Sequence, residues 1–186
     1  MSVRLRLGSS NAALEASFDP LVARVLAHRG ISHPAQVNYQ LKQLLPYHQL
    51  KGIATAVALL VDALENQQHI VIVGDFDCDG ATSTSLAILA LGAMGAKNVS
   101  YLVPNRFNFG YGLSAALVDY AKASEPDLIV TVDNGIASHA GVQRAHELGI
   151  KVLVTDHHLA AETLPQADAI VNPNQPGCEF PFKSTA

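Results

Sequence analysis

Five of the ten aspartates fall in three short turns, each directly behind a run of apolar, mostly β-branched residues. Asp75-Phe76-Asp77-Cys78-Asp79-Gly80 follows His69-Ile70-Val71-Ile72-Val73-Gly74. Asp133-Asn134-Gly135 follows Leu128-Ile129-Val130-Thr131-Val132, and Asp156-His157-His158 follows Lys151-Val152-Leu153-Val154-Thr155. Carboxylates with one or two imidazoles are hard and borderline donors that suit Mn²⁺ or Mg²⁺ better than a thiolate-loving structural zinc. Two such ions ~4 Å apart can clamp a phosphodiester, activate water and stabilise the departing oxygen. Carboxylates brought that close repel one another unless cations or protons intervene.

For the three turns to meet, the strands before them must end on one edge of one sheet. Helical patterns separate the strands, so the connections are crossovers and the strands parallel. Strands are expected at 69–74, 99–103, 128–132 and 152–155, with a fifth at 169–171, and helices at 81–95, 114–123 and 137–148. The alternation specifies an α/β domain, a parallel sheet with helices on both faces, whose strand ends carry the site. Residues 1–68 read as an all-helical N-terminal region, with helical spacing over 11–28, 34–45 and 52–66. Residues 69–186 form the α/β part. Its turn-rich end, from Asn172 to Gly177, reads as the start of something longer, so the chain is expected to be an N-terminal piece.

Bulk properties narrow the class. At 186 residues, 49% hydrophobic and 15% charged, the composition is that of a folded domain. A net charge of −4 announces no nucleic-acid binder. Two cysteines make no disulfide framework, and Cys78 is read as a small residue between aspartates, not a ligand. The first residues show no secretory pattern and no apolar run is long enough to span a bilayer, so a cytoplasmic protein is expected.

Asp75, Asp77 and Asp79 before Gly80 also fit positions 1, 3, 5 and 6 of an EF-hand loop, but position 12 is Leu86 and the turn follows a strand. Asp77-Cys78-Asp79-Gly80 resembles the phosphoaspartate motif of haloacid dehalogenases, which leaves the other two turns unexplained. A metal site built from all three turns explains them together. Alternate residues of the extended first turn can aim Asp77 and Asp79 the same way. Thr82, Ser83, Thr84 and Ser85 then put hydroxyls and free amides at a helix start, where a phosphate can bind or where they simply cap. His157 and His158 point opposite ways if extended, one toward metal and the other toward substrate.

The ordered motifs, from Val73-Gly74-Asp75-Phe76-Asp77-Cys78-Asp79-Gly80 through Val103-Pro104-Asn105-Arg106-Phe107, Gly110-Tyr111-Gly112-Leu113-Ser114 and Val132-Asp133-Asn134-Gly135-Ile136 to Thr155-Asp156-His157-His158-Leu159, resemble the DHH phosphoesterase superfamily. Within it they look most like the single-strand-specific 5′→3′ DNA exonucleases of repair and recombination. The resemblance implies two Mn²⁺ or Mg²⁺ ions held by Asp77, Asp79, Asp133 and His157, with Asp75 and Asp156 in or next to the ligand set. It implies catalytic roles for Asp79, Asp133 and His158, and substrate contacts from Arg106, Ser83, Asn134 and His158. Tyr111 and Phe107 can stack on a base or pack in the core. Single-stranded DNA is the implied partner, with a single-strand-binding protein and a helicase alongside. The alternative is a phosphodiesterase or phosphatase on short oligonucleotides or cyclic dinucleotides. Such enzymes continue into further domains, so this piece alone is expected to degrade DNA poorly.

Overall fold

Runs such as Ile70–Val73 and Leu128–Val132 have no polar face to offer water, so they fit only the middle of a sheet covered on both sides. The computed structural model describes residues 11–38, 40, 42 and 44–183, and places these two runs there. The strands are β1 (Ile70–Val73), β2 (Val99–Leu102), β3 (Leu128–Val132), β4 (Lys151–Thr155) and β5 (Ala169–Val171). They form one sheet in the order β2-β1-β3-β4-β5, all parallel.

Alternate side chains feed two cores, as the two-residue period requires. Val71, Val73, Ile129, Val152 and Val154 meet Leu117, Val118, Val142 and Ala145 of helices α6 (Ala115–Ala121) and α7 (His139–Glu147). Ile70, Ile72, Leu128, Val130 and Leu153 meet Ala56 and Ala63 of α3 (Ile53–Glu65) and Leu91 of α4 (Cys78–Ala93). A short α5 (Arg106–Phe109) interrupts the loop after β2.

Glycine lets α7 lie close to its neighbour. A Cβ on Gly141 would sit 2.0 Å from the Leu113 carbonyl oxygen, a backbone atom that cannot swing away. Gly141→Ala is therefore expected to destabilise the sheet unit by about 1–3 kcal/mol, measured by urea unfolding.

Two boundaries differ from the sequence reading. The chain divides into compact units at Met1–Pro46 and Tyr47–Ala186, so α3, expected with the N-terminal region, packs on the sheet. Its Ala56 and Ala63 pack into the core that holds Ile70, Ile72 and Leu128, and the helix runs beside β5. The helix expected from 81 begins at Cys78, because the Asp77 side chain accepts from Gly80 N and caps it. The first unit holds α1 (Ala12–Glu15), capped by Asn11, α2 (Pro20–His28), capped by Asp19 with Pro20 at its first position, and a 3-10 turn at Pro34–Val37. Parts of the helix expected at 34–45, residues 39, 41 and 43, lie outside the described residues.

Candidate metal centre

The sheet order reverses beside β1: β2 lies on one flank and β3 on the other. Connections leave β1 and β3 in opposite directions there, which opens a crevice at their C-terminal ends. The first two acidic turns emerge into that crevice, and the third follows from adjacent β4.

Asp133 occupies the centre. Its backbone is left-handed, φ 62°, a conformation that aspartate tolerates better than most residues. Neighbouring bonds hold it there. Asp133 N donates to Thr155 O at 3.1 Å, Thr131 Oγ1 donates to Asn134 O at 2.7 Å, and Asn134 Nδ2 donates to both Val73 O and Val132 O. Asn134 thus ties the second turn to the end of β1 and is wholly buried. Its amide nitrogen faces inward to these two carbonyls, the pairing that buried polar groups require.

His157 Nε2 lies 2.9 Å from Asp133 Oδ1 and 3.7 Å from Asp79 Oδ2. Among the described residues, two groups have donor atoms within 4.8 Å of one another: Asp133, His157 and His158, and Asp75, Asp77 and Asp133. Asp133 belongs to both. Burial raises its pKa, and the Asp79 and Asp77 charges raise it further against the pull of His157. Asp77 goes the other way, held low chiefly by the Gly80 amide. Oxygen-rich donors with imidazole, converging on one carboxylate burdened by like charges, fit a divalent cation.

Asp156 sits underneath. Its Oδ1 accepts from His157 N, His158 N and His158 Nδ1, and its Oδ2 from Ile136 N. With its side chain buried and four donors on two oxygens, Asp156 orients the two histidines. Burial works against a charged His158, yet the hydrogen bond to Asp156 and the charges of Asp156, Asp133 and Asp79 raise its pKa overall. The Tyr111 hydroxyl donates to Asp133 O and lies 3.3 Å from His158 Nε2. Burial, then the facing Asp156, Asp75 and Asp133, push Tyr111 up to about 12, so it stays protonated.

Two cavities flank the histidines. One of about 210 Å³ is lined by Asp79, Ser83, Asp133 and His157, and one of about 560 Å³ by Tyr111, Ser138, His158 and Leu159. The paired imidazoles accordingly face different spaces. Ser83 reaches the first cavity, but its hydroxyl donates to Asp79 O at 2.6 Å. Thr82 and Ser85 likewise bond back to the preceding turn, so these hydroxyls form no donor cradle at the helix start. Arg106 stands at the rim with one amine 2.5 Å from Asp75 Oδ2. Two residues read only as turn formers also serve the site. Asn172 Nδ2 donates to His158 O and Asn174 Nδ2 to His157 O, fixing the backbone of the pair. Their signal is an Asn-Pro-Asn run behind β5, which ends on the same edge as the other parallel strands.

The DHH family, N-terminal domain, matches residues 69–186. The chain belongs to the DHH family. Among curated DHH relatives, the single-stranded-DNA-specific exonuclease RecJ of Salmonella typhimurium is 53% identical over 184 residues, covering 99% of this chain and 32% of that protein. An exonuclease RecJ bound to manganese superposes with a TM-score of 0.65 at 37% identity, over 72% of this chain and 34% of that one. RecJ from Thermus thermophilus in complex with Mn²⁺ gives 0.64 at 35% identity, over 90% of this chain and 23% of that one. The chain spans about a third of the length of the curated RecJ relatives of Salmonella typhimurium and Escherichia coli.

Proposed function

We propose that this chain is the metal-binding part of a single-strand-specific DNA exonuclease that hydrolyses phosphodiester bonds from a 5′ end in repair and recombination. The observation that carries the reading is the meeting of Asp77, Asp79, Asp133 and His157 where β1, β3 and β4 end. Relatives named as single-stranded-DNA-specific exonucleases, and superposing structures that hold manganese, support it.

Asp77, Asp79, Asp133 and His157 would hold two Mn²⁺ or Mg²⁺ ions. When bound, these supply positive charge that activates water and screens the phosphodiester. His158, oriented by Asp156, gives a proton to the departing oxygen. Tyr111 keeps the His158 ring in place from the other side. Arg106 binds a phosphate of the strand through its planar fork. A single-strand-binding protein and a helicase are the partners that an unpaired substrate calls for. No helix among the described residues is long and apolar enough to cross a membrane, and a cytoplasmic site of action is part of the proposal.

The test is product analysis with the full-length protein on 5′-labelled single strands, blunt duplexes and dinucleotides. Mononucleotides from the single strand with Mn²⁺, and none with EDTA or from the duplex, are expected. Turnover confined to dinucleotides, or surviving EDTA, would refute the reading.

A further inference from the structure

Asp75 has both carboxylate oxygens in use. Oδ1 accepts from Phe76 N at 2.8 Å and Oδ2 from Arg106 at 2.5 Å. Its side chain is 5% exposed, whereas that of Arg106 is 40% exposed. The carboxylate is therefore an internal anchor and the guanidinium its outward end. Backbone packs over it as well: a Cβ on Gly80 would come within 2.6 Å of the Asp75 carbonyl oxygen.

Two aromatic rings complete the grip. The guanidinium carbon lies 4.1 Å from the centre of the Phe76 ring and 4.9 Å from that of Tyr111. Stacking on ring faces fixes the plane of an arginine, and a single ion pair fixes its rotation within that plane. Tyr111 also reaches Asp133 O and the His158 ring, so the grip is keyed to the metal centre. A guanidinium has five N–H donors, and the partly exposed edge of this one leaves donors for an acceptor beside the cluster.

We propose that Asp75 is the positioning residue of Arg106 and not a metal ligand, and that Asp75, Phe76 and Tyr111 hold the guanidinium as a preformed receptor for a strand phosphate, assembled without the cations. This rests on the reading of the site as one for single-stranded DNA. Because the Asp75–Arg106 pair is neutral overall, the receptor works through directed hydrogen bonds more than through net charge. Preorganisation is its advantage, since the arginine loses little side-chain freedom when the phosphate arrives. The rival is direct ligation, because one Asp75 oxygen lies within 4.8 Å of oxygens from Asp77 and Asp133. That rival would have to take the oxygen from an ion pair already formed in a nearly closed setting.

The two accounts part in the full-length protein carrying Asp75→Asn, Arg106→Ala, Arg106→Lys, the Asp75→Asn/Arg106→Ala pair, or Asp77→Asn as reference. Mn²⁺ binding is read without DNA from the electron paramagnetic resonance of free Mn²⁺. Affinity for a single-stranded oligonucleotide is read in EDTA by fluorescence anisotropy, and circular dichroism checks folding. Asp75→Asn is expected to keep the wild-type number of bound Mn²⁺ ions, while Asp77→Asn loses Mn²⁺. Asp75→Asn should weaken the oligonucleotide by about tenfold, as Arg106→Ala does, and the double variant should be no weaker than Arg106→Ala. Arg106→Lys should not restore binding, for want of a plane to stack. One fewer Mn²⁺ in Asp75→Asn, or penalties that multiply in the double variant, would overturn the proposal. If the wild-type protein binds no single strand, the functional reading fails and the receptor with it. The Mn²⁺ count in Asp75→Asn still tells anchor from ligand in that case.

Discussion

Asp133→Asn is expected to cut Mn²⁺-dependent hydrolysis of a single strand by about a thousandfold or more in the full-length protein, with the fold intact. Asparagine matches the side chain in size and tolerates the left-handed backbone at this position. The loss therefore reports charge and ligation, not unfolding. Asp133 contributes a donor atom to both groupings at the centre, beside Asp77 in one and His157 in the other, so its substitution should disturb the whole centre.

Stability should move the opposite way. The pKa of Asp133 is raised in the folded protein by burial and by Asp79 and Asp77. Below its unfolded pKa the group is protonated in both states and costs nothing. As pH rises from the unfolded pKa through the raised folded value, ionisation penalises the folded state, and above that value the penalty is fully present. Chelated Asp133→Asn should thus melt no lower than chelated wild type at neutral pH. Adding Mn²⁺ should raise the Tm of wild type and barely move the variant. A variant that melts well below wild type in EDTA would show that Asp133 is primarily a structural residue.

The second large effect belongs to His158. His158→Ala should slow DNA hydrolysis by about 10²–10⁴-fold, the usual contribution of a positioned proton donor. The same substitution should cost far less on a nitrophenyl phosphodiester, whose leaving group needs no proton. That contrast separates proton donation from ligation, because a lost metal ligand would slow both esters alike. The geometry favours donation. His158 Nδ1 is 2.7 Å from Asp156 and 4.0 Å from Asp133, and its ring borders the larger cavity. His157, with Nε2 against Asp133 and near Asp79, faces the smaller one. Equal losses on the two substrates would count against this division of labour.

Much of this architecture is legible in the residues. β-Branched runs that end in acidic turns, separated by helical periodicity, give a parallel sheet and one active edge. The alternation of Val71 and Val73 against Ile70 and Ile72 even assigns the two cores. Local chemistry set the limits. The helix after β1 starts early because Asp77 doubles as its cap, and a capping aspartate looks the same as a ligand in a sequence. α3 carries a good apolar stripe, but periodicity does not say which sheet it covers, and the partner β5 lies about a hundred residues on.

Side-chain roles were less legible for a similar reason. Asp75, Asp133 and Asp156 are alike in sequence, each ending a strand. What separates them is who faces them: Arg106 for Asp75, His157 for Asp133, and three amides with one imidazole for Asp156. Those partners sit 31 residues from Asp75, 24 from Asp133 and 20 or fewer from Asp156. The resemblance implies a substrate contact from Asn134, and the residues alone do not show that its amide also latches β1 to the second turn. A short polar side chain after a strand can serve backbone or ligand equally well, and only packing decides.

Anomalous scattering at the manganese edge, from crystals of the full-length protein grown with Mn²⁺, tests the metal centre most directly. Strong peaks within bonding distance of Asp77, Asp79, Asp133 and His157 are the expected result. A map with no peak among those four side chains, from protein that still degrades single strands, would contradict it.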